Sequence, residues 1–177
     1  MSEAATSYQL PASSYQLPAT SFEGRASKDR GPFTFPFSLS DTLSPVDCVF
    51  FYGTLMAGFD RRRRAAMDTK LSFLGRGWIR ASLFDLGLYP AAVPSPDGCV
   101  WGELYEVSEL ATVLPALDEI EGYRPGDTDH SLYVRAQADV TLPDGQQHTA
   151  WVYFYNAPLG QAQRIESGDY LRHVRVR

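Results

Sequence analysis

Apolar residues recur three and four apart between Ser108 and Gly122, at Leu110, Val113, Leu114, Leu117 and Ile120. This spacing predicts an amphipathic helix. With Leu117 at zero and about 100° per residue, the five fall within about 60° of it on either side. Glu121 falls at about 40°, inside the apolar stripe, whereas Glu119 lands at about 200°, on the water side. Asp118, at about 100°, takes a rim position suited to a cap or a hydrogen bond. Gly122 follows as a helix-ending glycine, and Pro115 inside the segment predicts a kink or a fresh start.

Elsewhere the pattern is that of strands. Val46–Tyr52 is a short apolar run bounded by Pro45 and Gly53, hence a buried strand. Leu71–Phe84 is β-like and broken by Gly75 and Gly77, where a bulge or barrel corner is expected. Cys99–Val107 predicts a further strand. Leu132–Leu142 and Gln147–Tyr155, joined through Pro143-Asp144-Gly145, predict an antiparallel hairpin. Arg61–Lys70 and Gln161–Arg172 are the remaining helical segments. Strands outnumber helices and do not alternate with them, which favours an α+β fold with a closed or nearly closed sheet over a doubly wound one.

The first forty-odd residues differ. Ser7-Tyr8-Gln9-Leu10-Pro11-Ala12 recurs as Ser14-Tyr15-Gln16-Leu17-Pro18-Ala19, amid Pro, Ser and Thr with no apolar period. Residues 1–44 therefore read as a flexible or extended tail, with Phe33, Phe35 and Phe37 able to pack its end onto the domain. Residues 45–177 read as one folded domain.

Composition narrows the function classes. The 177 residues are 44% hydrophobic and 21% charged, as in a soluble globular protein. Ten Tyr, ten Phe and three Trp favour a β-rich core or an aromatic-lined pocket. A net charge of −5 argues against nucleic-acid binding. The one basic run, Arg61–Arg64, would spread around a helix axis. Cys48 and Cys99 each sit in an apolar run and are expected as two buried free thiols. His130, His148 and His173 are scattered, so no metal site is expected. No membrane span or secretory signal is visible. The cytoplasm and a monomeric state are the default expectations.

Two constellations carry candidate chemistry. A carboxylate in an apolar stripe must be neutralised, paired or put to use. Burial and the negative end of the helix dipole both raise the expected pKa of Glu121, the direction that suits a general base near neutral pH. The bland alternative is a side chain rolled out to water, or one that caps the backbone. The second constellation is Tyr52-Gly53-Thr54-Leu55, after the first strand. A glycine there lets the backbone approach a ligand, and the amides that follow can form an anion or oxyanion site. An ordinary turn is the alternative. GxGxxG, Walker A and GxSxG patterns are absent, which removes the usual nucleotide and serine-hydrolase readings. Trp151, Tyr153 and Tyr155 share a strand face, as core or as pocket wall. Arg135 is expected to pair with an acid such as Glu103 or Glu106, and Tyr170 to serve packing.

Several motifs, in order, resemble one family: Phe51-Tyr52-Gly53-Thr54-Leu55, Asp85-Leu86-Gly87-Leu88-Tyr89-Pro90, Val100-Trp101-Gly102-Glu103-Leu104-Tyr105, Leu117-Asp118-Glu119-Ile120-Glu121-Gly122-Tyr123, Tyr133-Val134-Arg135 and Trp151-Val152-Tyr153. They resemble the γ-glutamylcyclotransferase-like family, including its γ-glutamylamine cyclotransferase branch and bacterial relatives. Ser167-Gly168-Asp169-Tyr170-Leu171 is similar to the bacterial branch. The resemblance implies a compact mixed β-barrel flanked by helices. It also implies a cyclotransferase or lyase reaction, in which a γ-glutamyl α-amine attacks its own γ-carbonyl to give 5-oxoproline and a free amine. By the same resemblance Glu121 is the general acid/base, Tyr52–Leu55 holds the glutamyl end, and Tyr133 and Tyr155 are pocket residues. The implied partner is a small γ-glutamyl substrate, with no cofactor, metal or protein nucleophile. A specialised γ-glutamylated metabolite, or a non-catalytic ligand-binding module on the same fold, are the alternatives.

Overall fold

The computed structural model describes residues 46–59 and 67–176. The expected tail and the Arg61–Arg64 run lie outside these residues. Of the helix expected over Arg61–Lys70, the described part is a single 3-10 turn, Asp68–Lys70.

The described strands are β1 (Cys48–Phe51), β2 (Leu71–Ile79), β3 (Ala81–Asp85), β4 (Pro90–Pro94), β5 (Val100–Val107), β6 (Tyr133–Thr141), β7 (Gln147–Tyr155) and the short β8 (Gln163–Arg164). Two helices join them, α1 (Leu110–Glu121) and α2 (Tyr170–Arg175). Five strands close a barrel in the order β1-β5-β2-β6-β7, and β4-β3-β8 form a second, three-stranded sheet. β1 is antiparallel to β5 and meets β7 in parallel at Val49 and Trp151, which closes the ring. The fold is thus the α+β barrel with flanking helices that the sequence predicts.

The barrel is filled by side chains that alternate inward along the strands. Phe50, Leu104, Val140, Ala150 and Val152 are at most 1% exposed. The β2 bulge falls where the glycines predict it: register with β5 shifts between Phe73 and Gly75. The β6–β7 hairpin runs in register from Tyr133↔Tyr155 to Thr141↔Gln147. At its tip the Leu142 N–H donates to Gln146 O (2.9 Å) and the Gly145 N–H to Leu142 O (2.9 Å).

α1 is one helix through Pro115, without the fresh start considered above. Ala111 and Pro115 are both exposed, so the carbonyl that Pro115 leaves unpartnered can turn to solvent. α1 ends at Gly122, in the left-handed region at φ 66°.

The expected helix over Gln161–Arg172 is corrected. Gln163–Arg164 extends as β8 along β3 (Phe84↔Arg164, Asp85↔Gln163). The helix starts later, where the Asp169 side chain accepts the Arg172 N–H at 3.2 Å as an N-cap. α2 then ties back to the second sheet, with His173 Nε2 2.8 Å from Asp85 Oδ2.

The cysteines differ from expectation too. Cys48 is buried, but Cys99 is exposed, because it precedes the first residue of β5. Burial, then the neighbouring Asp47 carboxylate, pushes the Cys48 thiol up to about 11. At pH 8 Cys48 therefore stays a protonated, covered thiol. Iodoacetamide is expected to alkylate Cys99 and spare Cys48 in the folded protein, and peptide mass mapping checks this. Equal labelling of both would contradict the packing at β1.

Among the described residues no helix is long and apolar enough to cross a membrane.

Candidate active site

The end of β1, the end of α1 and the β3–β4 turn converge on one pocket. Its volume is about 360 Å³ including the open mouth, and it is lined by Phe50, Phe51, Tyr52, Gly53, Thr54, Leu55, Tyr89, Pro90, Glu121 and Tyr153. Glu121 and all four residues of the Tyr52–Leu55 segment, 66 or more positions apart in sequence, therefore face the same space.

Each element reaches the pocket for a local reason. β1 is buried along its whole length and must stop where Gly53 begins a turn, closed by a 3.0 Å bond from the Met56 N–H to Gly53 O. Gly53 is required for space: a Cβ there would lie 2.7 Å from Pro90 Cγ and 3.1 Å from Pro90 Cδ. Tyr52 turns inward, its hydroxyl donating to Tyr153 O (2.6 Å) and accepting the Ala92 N–H (3.4 Å). Burial, then the charge of Tyr133 and of Glu121, raises the Tyr52 pKa well above the ordinary phenol range. Tyr52 is therefore a neutral fixture of the wall that feels the Glu121 charge.

Glu121 is the last residue of α1 and is half-buried. The stripe angle places it on the inner side, and the helix end leaves it at the pocket instead of in the core. Glu119, on the opposite side, is exposed, as the projection predicts.

Asp118 has the hydrogen-bonding role expected of it, but it is buried and not at the rim, at 8% exposed. Arg135 on β6 meets it, with Nη1 3.0 Å from Oδ1 and 2.9 Å from Oδ2. Arg135 thus pairs with an acid as expected, but the acid is Asp118 and not Glu103 or Glu106. The guanidinium is 5.4 Å from the Tyr123 ring centroid and 5.1 Å from that of Trp151, a cation–π arrangement. Tyr153 Oη donates to Asp118 Oδ1 at 2.7 Å. Burial first, then that carboxylate, raises the Tyr153 pKa. One charge-paired cluster thus fixes the turn of α1 that precedes Glu121 and also holds Tyr153, a lining residue.

Tyr133 and Tyr155 are not among the residues that line the pocket. Tyr133 Oη donates to Pro90 O at 2.8 Å, and its ring lies 6.3 Å from that of Tyr89 and 5.3 Å from that of Tyr155. They shape the pocket through Tyr89 and Pro90. Those two arrive on the β3–β4 turn, where Asp85 Oδ1 accepts the Gly87 N–H at 2.7 Å. Glu121 is the one charged side chain among the described lining residues.

A family model described as gamma-glutamyl cyclotransferase, AIG2-like, matches residues 49–172. The chain belongs to this family. The match runs from β1 into α2 and includes every lining residue of the pocket. The gamma-glutamylcyclotransferase family protein YtfP of Escherichia coli (strain K12) is 31% identical over 124 residues, covering 70% of this chain and 95% of that protein. The solution structure of E. coli ytfP superposes with a TM-score of 0.51 at 30% identity, covering 72% of this chain and 98% of that one. The crystal structure of c4763, a uropathogenic E. coli-specific protein, shares the fold with a TM-score of 0.53 at 16% identity, covering 72% and 94% of the two chains. Family membership supports a cyclotransferase-type function.

Proposed function

We propose that the protein releases an amine and 5-oxoproline from a γ-glutamyl amine or amide, with Glu121 as general acid/base. The observation that carries this reading is the shared pocket: a single carboxylate faces the turn of backbone amides at the end of β1. The substrate's α-ammonium is no nucleophile until it loses a proton, and in this reading Glu121 takes it. The freed amine attacks the γ-carbonyl of its own chain, so proximity is built into the substrate. The C–N bond of the lactam forms and the C–N bond to the leaving amine breaks. The two protons shed by the α-ammonium are the two that the departing amine gains. Amides of the Gly53–Leu55 turn suit the substrate carboxylate or the tetrahedral oxygen. The aromatic and aliphatic wall excludes water that would divert the reaction to hydrolysis.

The test is a panel of γ-glutamyl-ε-lysine and several γ-glutamyl amino acids, assayed for 5-oxoproline. Release from at least one compound at a catalytic rate is expected. Saturable binding with no release from any would instead favour a ligand-binding module.

Gly53→Ala tests the turn. The added methyl meets the rigid Pro90 ring, so either the turn or the start of β4 must shift. Displacements near 1 Å cost up to about 10²-fold in rate. A fall in kcat/KM of roughly ten- to a hundredfold is expected, in a protein with parent-like circular dichroism. Parent-like kcat/KM would remove the turn from the mechanism.

A further inference from the structure

Glu103 is a carboxylate that the chemistry above does not use. It stands on β5 opposite Phe51, the last residue of β1, and is 6% exposed. Its Oε2 accepts two hydrogen bonds of 2.7 Å each, one from the Ala57 N–H and one from Tyr105 Oη. Ala57 lies at the far end of the turn that lines the pocket. At the near end Tyr52 Oη is fastened to Tyr153 O (2.6 Å). The Tyr105 ring lies 5.6 Å from that of Phe51 and 5.4 Å from that of Phe73, so its hydroxyl is held in place. An apolar residue would fill this β5 position without the desolvation cost of a carboxylate. The carboxylate does what an apolar residue cannot: it accepts a backbone N–H from a loop outside the barrel.

We propose that Glu103 is a positioning residue, whose carboxylate fixes the Gly53–Met56 turn through the Ala57 N–H so that the turn's amides meet the pocket in one geometry. The inference rests on the proposed function only in taking that turn to hold the substrate. Charge-assisted bonds to a carboxylate are roughly twice as strong as neutral ones. A glutamine at this position keeps one oxygen able to accept both donors, only more weakly. A methionine keeps the volume and removes the acceptor. Function should therefore follow the acceptor and not the volume.

The experiment compares the full chain with Glu103→Gln and Glu103→Met by amide hydrogen exchange, by amide resonances and by steady-state kinetics. In the parent, the Ala57 amide is expected to exchange slowly and to resonate downfield. In Glu103→Met its protection should fall by roughly ten- to a hundredfold, the worth of one bond to a charged group. The Gly53–Met56 amide resonances should move, and kcat/KM should fall by about tenfold or more. Glu103→Gln should restore most of each. An Ala57 amide that exchanges as fast as an exposed one in the parent, or is equally protected in Glu103→Met, would overturn the proposal without any assay of turnover. Should the parent turn over no γ-glutamyl compound, the catalytic reading falls, while exchange and resonance data still decide the role of Glu103.

Discussion

Glu121→Gln is expected to lower kcat for 5-oxoproline release by about 10²–10⁴-fold, the usual contribution of acid/base catalysis. The substitution keeps the shape of the side chain at the end of α1. It removes only the ability to take a proton from the α-ammonium and return it to the leaving amine. KM should change far less than kcat, because the substrate is held mainly by the turn and the aromatic wall. The unfolding midpoint should stay within a few degrees of the parent, since Glu121 is half-buried at a helix end and not part of the core. Glu119→Gln, two residues earlier on the exposed side, is the matched control and should be nearly silent. Full activity in Glu121→Gln would refute the assignment of the acid/base.

The largest expected effect on stability is at Asp118. Its side chain is 12% exposed and that of Arg135 is 19% exposed. Asp118→Ala leaves the guanidinium, close to two aromatic rings, without its counter-charge, and costs Tyr153 Oη its 2.7 Å acceptor, leaving only Leu114 O at 3.5 Å. Removing one partner of a buried pair costs about 3–5 kcal/mol. The residual exposure of Arg135 places the expectation at the lower end, about 3 kcal/mol, or a fall of roughly 10 °C in Tm. The double substitution Asp118→Leu with Arg135→Met should recover much of that loss, since a buried ion pair is often matched by apolar residues of similar volume. Urea denaturation of the three variants checks both statements. A loss below about 1 kcal/mol in Asp118→Ala, or a double variant no better than the single, would contradict the account of this pair.

Periodicity made much of the site legible. The stripe of α1 placed Glu121 inward and Glu119 outward, and Gly122 marked the helix end. The glycines of β2 announced the bulge, and Pro143-Asp144-Gly145 announced the hairpin. These are local signals, carried by spacing and by turn chemistry. The misses are cases in which a distant segment decided the outcome. A helical projection gives the angle of Asp118 about the axis but not that Arg135 of β6 waits there. Gln163–Arg164 is polar enough for a helix surface, yet β3 offers it an edge. Asp169 was the available sign of the later helix start, as an N-cap three residues before Arg172. Tyr89 and Pro90 enter the pocket on a turn whose direction is fixed by Asp85 and His173, 88 positions apart. Tyr133 and Tyr155 neighbour Tyr89 and each other.

In the proposed reaction, ring closure by the substrate's own amine, and not attack by water, breaks the γ-glutamyl bond. Turnover of a γ-glutamyl amine in H₂¹⁸O, followed by mass spectrometry of the products, tests it directly. The expected result is 5-oxoproline with no heavy oxygen. Glutamate carrying one ¹⁸O in its γ-carboxylate as the main product would show a hydrolase and contradict the account.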